Sequence, residues 1–102
     1  MTDLRDVQAR AWANKQAKGF NTTDVPHEFM LLVEEIGEAF SMWRKARPGL
    51  GGELADIQIF LCGLAEMTGI DLAAEVDAKL SVDEDREYVR LPNGTLVKAG
   101  NT

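Results

Sequence analysis

The segment Arg47-Pro-Gly-Leu-Gly-Gly52 constrains the fold most, because it separates two long stretches of helical periodicity. Pro48 disfavours helical geometry in the residue before it, and the glycines that follow are typical of a flexible loop. The pattern predicts one helix from Pro26 to about Ala46 and another from about Gly52 to Thr68. A short connection of this kind favours an antiparallel helical hairpin.

Two further helices are predicted outside this hairpin. The apolar spacing of Leu4, Val7 and Ala11 predicts a helix from Thr2 to about Lys18. A capping aspartate precedes the next apolar series, which predicts a fourth helix reaching about Tyr88; these residues are Asp71, Leu72, Val76 and Leu80.

The tail after the fourth helix predicts a small hairpin. Pro92-Asn-Gly94 lies between two short apolar runs, which is a turn signal between strands. The prediction is therefore an all-α, four-helix bundle over residues 1–88, followed by a C-terminal tail or hairpin over residues 89–102.

Length and charge restrict the kind of partner. A domain of 102 residues is near the size at which burial through oligomerisation becomes useful, so we expect a homodimer or homotetramer. The net charge of −6 disfavours binding to a nucleic acid polymer, which requires clustered lysine and arginine. It does not exclude a small phosphorylated substrate, since a bound divalent cation reverses the local charge.

Cysteine content and hydropathy predict the compartment. The single cysteine, Cys62, lies in an apolar helical run, which favours a buried, reduced thiol and a cytoplasmic location. No charged-then-apolar leader or bilayer-length apolar run is present in the sequence, so we expect neither export nor a membrane partner.

Two acidic pairs stand out in the central helices. Glu35 and Glu38 precede the Pro-Gly loop, and Glu53 and Asp56 follow it. Within each pair the i, i+3 spacing places both carboxylates on one helix face, from adjacent turns. In an antiparallel hairpin the two pairs face each other near the loop.

Each acidic pair shares a helix face with apolar residues. In the second helix the pair lies in line with Leu31 and Met42, and in the third with Phe60 and Met67. Each helix also carries a main apolar stripe, which we expect to form the core. In the second helix that stripe comprises Phe29, Leu32, Val33, Ile36, Phe40 and Trp43.

Four converging carboxylates in a partly buried site predict a bound cation. Without one, repulsion and desolvation raise their pKa values. Ligation by oxygen alone points to a hard cation, with Mg²⁺ first and Mn²⁺ as a substitute. A solvated acidic face is the alternative, and for Glu34, which points away from the Glu35 face, that alternative is stronger.

The paired motifs resemble those of the MazG-like, all-α nucleoside triphosphate pyrophosphohydrolases, whose signature is Glu-x-x-Glu followed by Glu-x-x-Asp. The match reads Glu35-Ile-Gly-Glu38 and Glu53-Leu-Ala-Asp56, and the resemblance covers about residues 3 to 88. It implies hydrolysis of a nucleoside triphosphate to the monophosphate and pyrophosphate. Mg²⁺ would be held by all four acidic residues and would activate the attacking water, which Glu35 or Glu38 would orient or deprotonate.

The last helix departs from the family pattern. The family commonly carries Lys-x-x-x-Asn-x-x-Arg there, whereas this chain has Lys79-x-x-x-Asp83-x-x-Arg86. The resemblance implies that these three residues contact the substrate's phosphates or sugar. A surface salt-bridge ladder of Glu75, Lys79 and Asp83 is the alternative.

Basic and aromatic residues supply further candidates. Arg44, Lys45 and Arg47 either clamp phosphates or complement the dipole of the helix end. Of the aromatic residues able to stack a base, Trp12 and Phe20 are candidate substrate contacts, whereas Trp43 is predicted to lie in the core. His27, at the start of the second helix, is predicted to be a surface residue.

Two other functions compete with this interpretation. One is a non-catalytic helical module that binds a metal-nucleotide complex or a partner helix. The other, within the same superfamily, is hydrolysis of phosphoribosyl-ATP, which the context of the motifs favours less.

Overall fold

The computed structural model describes residues 3–100 and contains four α-helices and one two-stranded sheet. The all-α prediction is confirmed. In chain order the elements are α1 (Leu4–Lys18), α2 (Val25–Arg44), α3 (Leu50–Met67), α4 (Leu72–Asp85), β1 (Tyr88–Arg90) and β2 (Leu96–Lys98).

Side-chain and glycine caps fix the helix ends. Asp24 caps α2 by accepting a hydrogen bond from the His27 N–H at 3.1 Å. Gly49, at φ 105°, precedes α3, and its carbonyl accepts from the Glu53 N–H. Because this bond forms the first turn, α3 begins at Leu50, two residues earlier than predicted.

The first compact unit extends through Leu72 and is built around α3, which packs against both α1 and α2. Gln8 of α1 forms hydrogen bonds to the C-terminal end of α3 and to the loop that follows it. Its side-chain amide donates to Glu66 Oε2 at 2.6 Å and to the Ile70 carbonyl at 2.8 Å. Its Oε1 accepts from the Leu72 N–H, so all of these polar groups are satisfied at a buried position.

The core of this unit is small, and of the main apolar stripe of α2 only Leu32 belongs to it. Ala11, Leu32, Ala39, Cys62, Leu64 and Ala65 are buried. The stripe residues Phe29, Val33, Ile36, Phe40 and Trp43 are instead 50–66% exposed, so the prediction that Trp43 lies in the core is wrong for the single chain. The stripe that carries the carboxylates packs towards α3, with Leu31, Glu35 and Met42 half-buried.

The second compact unit begins at Ala73 and contains α4 and the hairpin. Strands β1 and β2 pair antiparallel, with Val89 opposite Val97, which confirms the predicted hairpin. Gly94 adopts φ 89° in the turn, and its carbonyl accepts a hydrogen bond from Arg90 Nη1 at 2.7 Å. The division of domains at residue 88 stays a prediction.

Within residues 3–100, no single helix has both the length and the hydropathy of a membrane span; α3 and α4 meet these criteria only when taken together as one broken segment.

Candidate functional site

Three of the four predicted metal ligands converge between α2 and α3. Glu35, Glu38 and Glu53 each offer a carboxylate oxygen, and these oxygens all lie within 4.8 Å of one another. Glu35 and Glu53 are half-buried and Glu38 is exposed. The geometry follows from the sequence, since the two helices run antiparallel across the Pro-Gly loop and bring the acidic turns to one level.

The environment of this cluster raises the pKa of Glu35. Partial burial raises the pKa of the Glu35 carboxyl, and the charge of Glu38 raises it further. Hydrogen bonding to Glu53 and the charges of Glu53 and Asp56 act in the same direction. The cluster therefore has more negative charge than its surroundings stabilise.

Glu53 carries an unsatisfied oxygen in the same place. Its Oε2 is buried and, among the described residues, has no hydrogen-bond partner. A buried acceptor without a partner is costly, and beside two other carboxylates a cation satisfies it. The donor set, all carboxylate oxygen, fits a hard divalent ion.

Asp56 and Glu34 lie outside the converging trio. Asp56 is exposed, and its charge acts on Glu35. Glu34 is exposed on the far side of α2, where it borders a shallow apolar depression beside Phe29 and Val33. The structure therefore separates Glu34 from the cluster, as the helical spacing predicted.

A cavity of about 260 Å³ opens on the loop side of the cluster. Glu38 and Glu53 line it, and so do the basic residues Lys45 and Arg47. A cavity lined by both carboxylates and basic side chains suits a metal-bound phosphate group. Arg44 is not part of this wall in the described chain; its guanidinium lies 5.8 Å from the centre of the Phe40 ring.

A second cavity, of about 400 Å³, lies on the other side of the cluster, and we call it the α1–α2 cavity. Its walls come from α1, the α1–α2 connector, α2 and α3. They comprise Ala11, Asn14, Lys15, Phe20, Asn21, His27, Glu28, Leu31, Ile59 and Phe60. Of these residues, only Phe20 is a predicted substrate contact, and His27, predicted to be a surface residue, is exposed.

A buried ion pair lies in the wall of this cavity. Lys15 Nζ donates to Glu28 Oε2 at 2.6 Å, with the Glu28 side chain 1% exposed and that of Lys15 12% exposed. Asn21 Nδ2 donates to the other carboxylate oxygen at 3.3 Å. Sequence reasoning missed this pair, and its one available signal was a glutamate in the first turn of α2, next to the apolar residues Phe29 and Met30.

The remaining predicted substrate contacts are one residue of the first unit, Trp12, and three of the second, Lys79, Asp83 and Arg86. Trp12 is half-buried on α1 and, in the described chain, is not part of the α1–α2 cavity wall. In the second unit Arg86 Nη1 donates to Asp83 Oδ1 at 3.0 Å, and Lys79 is exposed. Arg86 Nε is buried and has no hydrogen-bond partner among residues 3–100. Substrate binding by these four residues stays a prediction.

Structural comparison identifies the class of protein. The MazG-like pyrophosphohydrolase of cyanophage S-2L, solved with dGDP and three catalytic Mn²⁺ ions per active site, superposes with a TM-score of 0.74 and 25% identity. The match covers 99% of this chain and 97% of that one. Over nearly its whole length the chain is similar to this MazG-like, all-α protein, which confirms the resemblance seen in the acidic motifs.

Two curated phage relatives agree with this assignment. A dATP/dGTP diphosphohydrolase of Salmonella phage PMBT28 is 37% identical over 98% of this chain, and one of cyanophage S-2L is 35% identical over 64%. This chain spans 41% and 59%, respectively, of the length of these relatives. No protein-family model matches the sequence.

Proposed function

We propose that the protein hydrolyses a purine deoxynucleoside triphosphate, dATP or dGTP, to the monophosphate and pyrophosphate, with Mg²⁺ as its cofactor and Mn²⁺ as a substitute. The observation that carries this proposal is the convergence of Glu35, Glu38 and Glu53 around the unsatisfied Glu53 oxygen. The names of the two relatives supply the substrate class, and the neighbour solved with Mn²⁺ supports a divalent metal.

Glu35, Glu38, Glu53 and Asp56 would hold the metal. When bound, it would neutralise the triphosphate and activate the attacking water. Glu35 or Glu38 would orient that water towards the α-phosphorus and accept its proton. The bond from the α-phosphorus to the bridging oxygen then breaks, and pyrophosphate leaves with the bonding electrons.

The phosphates would extend towards the loop. Lys45 and Arg47 line the smaller cavity together with Glu38 and Glu53, where they can contact the negatively charged pyrophosphate as it leaves. Lys79, Asp83, Arg86 and Trp12 remain proposed substrate contacts, carried by the family resemblance.

The exposed stripe of α2 supports assembly with a second copy, as a homodimer or homotetramer. Phe29, Val33, Ile36, Phe40 and Trp43 follow one another at intervals of four, three, four and three residues. This is the spacing of a coiled-coil seam, in which each apolar side chain packs into a partner helix. A self-complementary helix face satisfies the requirement of a twofold interface.

The cytoplasm is the compartment we propose. The Cys62 thiol is free and fully buried, which suits a reducing environment.

Pyrophosphate release from a panel of canonical and deoxynucleoside triphosphates, with Mg²⁺ or Mn²⁺, tests the proposed activity. We expect pyrophosphate and no orthophosphate from dATP and dGTP, and a loss of at least 100-fold in Glu38→Gln and Asp56→Asn. Glu34→Gln is the matched control, because it removes a neighbouring exposed carboxylate outside the cluster. Binding of nucleotide without turnover would instead support the non-catalytic module.

A further inference from the structure

We propose that the α1–α2 cavity receives the nucleobase and that Lys15 determines specificity by donating a hydrogen bond to an acceptor on a purine edge. The inference rests on the proposed function for the position of the phosphates. It goes beyond that function by assigning residues to base recognition and by ranking the two purines.

The position of the cavity is set by the helix turns. Leu31 lies one turn before Glu35 on α2, and Phe60 lies two turns after Glu53 on α3, and both line the cavity. At a rise of about 1.5 Å per residue, the cavity wall is therefore only about 6 Å along α2 from the acidic cluster. The basic residues Lys45 and Arg47 lie on the opposite side of the cluster.

This order fixes the direction of the substrate. With the α-phosphate at the carboxylates, the two remaining phosphates extend towards the loop and the nucleoside extends towards Leu31 and Phe60. A volume of about 400 Å³ is within the range of small-molecule sites. Phe20, 56% exposed at the cavity, offers a ring face on which a base can stack.

The Lys15–Glu28 pair in the wall of the α1–α2 cavity carries no net charge, which favours an uncharged group such as a base over a phosphate. Glu28 neutralises Lys15, and its two carboxylate oxygens are occupied by Lys15 and Asn21. The pair thus adds no net charge to attract phosphate. The Lys15 ammonium has three N–H donors, and among the described residues Glu28 is its one recorded acceptor. Lys15 therefore retains donors that can meet an acceptor in the cavity.

A hydrogen-bond donor at Lys15 favours binding of guanine over adenine. Guanine presents two adjacent acceptors, N7 and O6, whereas adenine presents N7 beside the N6 amino donor. Lys15 can satisfy both guanine acceptors but meets a competing donor in adenine. We expect wild-type kcat/KM to be higher for dGTP than for dATP.

Steady-state kinetics with a charge-neutral double variant test this ranking. Lys15→Met with Glu28→Gln removes the donor without leaving a buried charge, and we expect kcat/KM for dGTP to fall at least tenfold while that for dATP changes less than threefold. Lys18→Met is the control, since it removes an exposed lysine of the same helix outside the cavity wall. An unchanged dGTP to dATP ratio in a folded double variant would overturn the role of Lys15.

Phe20→Ala tests the cavity without disturbing the ion pair. Because Phe20 is exposed, we expect this variant to fold and to lose about tenfold in kcat/KM with both purines, through loss of stacking. Undiminished activity would contradict the placement of the base.

Binding of deoxyguanosine separates this inference from the proposed reaction, because the nucleoside has no phosphate and needs no metal. In an NMR titration without divalent cations, we expect shift changes at Lys15, Phe20 and Phe60, and their loss in the double variant. If these shifts appear but no triphosphate is hydrolysed, the reaction fails and the base site stands. If pyrophosphate is released but the shifts lie elsewhere, the base site fails alone.

Discussion

Lys15 Nζ lies 2.6 Å from Glu28 Oε2, and this ion pair joins α1 to α2 across the surface of α3. The lysine stem passes directly over Gly63, where a Cβ atom would stand 3.0 Å from Lys15 Cε. One contact therefore couples the packing of three helices to the wall of the cavity that we assign to the base. Stability and specificity depend here on the same pair of side chains.

Removing only one partner of the Lys15–Glu28 pair should destabilise the folded protein. We expect Lys15→Met to lower the free energy of unfolding by about 3 kcal/mol, because it leaves Glu28 buried and unpaired. The double variant with Glu28→Gln should recover most of this loss, since it leaves no charge to desolvate. Urea denaturation of the two variants measures the difference, and equal stabilities would show that the pair contributes no more than ordinary packing.

Gly63 should tolerate a side chain less well than an open helical glycine. At Gly37, which has open space around its Cβ position, Gly37→Ala should stabilise the protein by about 1 kcal/mol through helix propensity. At Gly63 the added methyl group would press on a lysine held by Glu28, at a cost of about 1–3 kcal/mol that offsets the same gain.

Thermal unfolding of the two alanine variants compares these glycines directly. Lys15→Ala removes the atoms that would clash with a side chain at position 63. In that background, Gly63→Ala should raise the stability relative to the Lys15→Ala variant alone. A stabilisation at Gly63 equal to that at Gly37 in the otherwise unchanged protein would contradict the close packing of Lys15.

Local patterns predicted the helices and the acidic cluster because both depend on short-range spacing. The i, i+3 separation of Glu35 and Glu38 fixes their common face, and the Pro-Gly loop brings Glu53 opposite them. Caps such as Asp24 were equally visible in the sequence.

Periodicity identified apolar faces but not what covers them. The stripe that includes Phe40 and Trp43 has the pattern of a core, yet it is exposed in the single chain, because α3 packs against the neighbouring face of α2. The Lys15–Glu28 pair joins residues 13 positions apart on different helices, so no helical spacing relates them. Both features depend on tertiary packing.

Glu35→Gln should stabilise the metal-free protein at neutral pH. Burial and neighbouring carboxylates raise the pKa of Glu35 in the folded state above its ordinary value of 4.5. Above the raised pKa, the ionised side chain lowers the free energy of unfolding; below pH 4.5 it is protonated in both states and the penalty is absent. The advantage of the Glu35→Gln variant over the wild type should therefore shrink as pH falls from about 7.5 towards 4.5, which denaturant unfolding across this range measures.

A divalent cation should reverse the order of the two proteins. Mg²⁺ or Mn²⁺ stabilises whichever folded protein binds it, so the wild type should gain more in Tm than Glu35→Gln. Glu34→Gln provides the comparison, because Glu34 is exposed outside the cluster and its removal should leave the response to metal unchanged. Equal metal-induced gains in wild type and Glu35→Gln would remove Glu35 from the ligand set.

Val33→Arg should dissociate the proposed assembly. Val33 is 66% exposed in the single chain and occupies a central position of the apolar stripe on α2, so a charge there would be buried without a partner at a helix seam. Analytical ultracentrifugation should show a dimer or tetramer for the wild type and a monomer for this variant. Gln16→Arg, at an exposed position on α1, introduces the same side chain away from the stripe and should leave the mass unchanged. If the wild type sediments as a monomer at all concentrations, the proposed self-assembly through the exposed stripe of α2 is wrong.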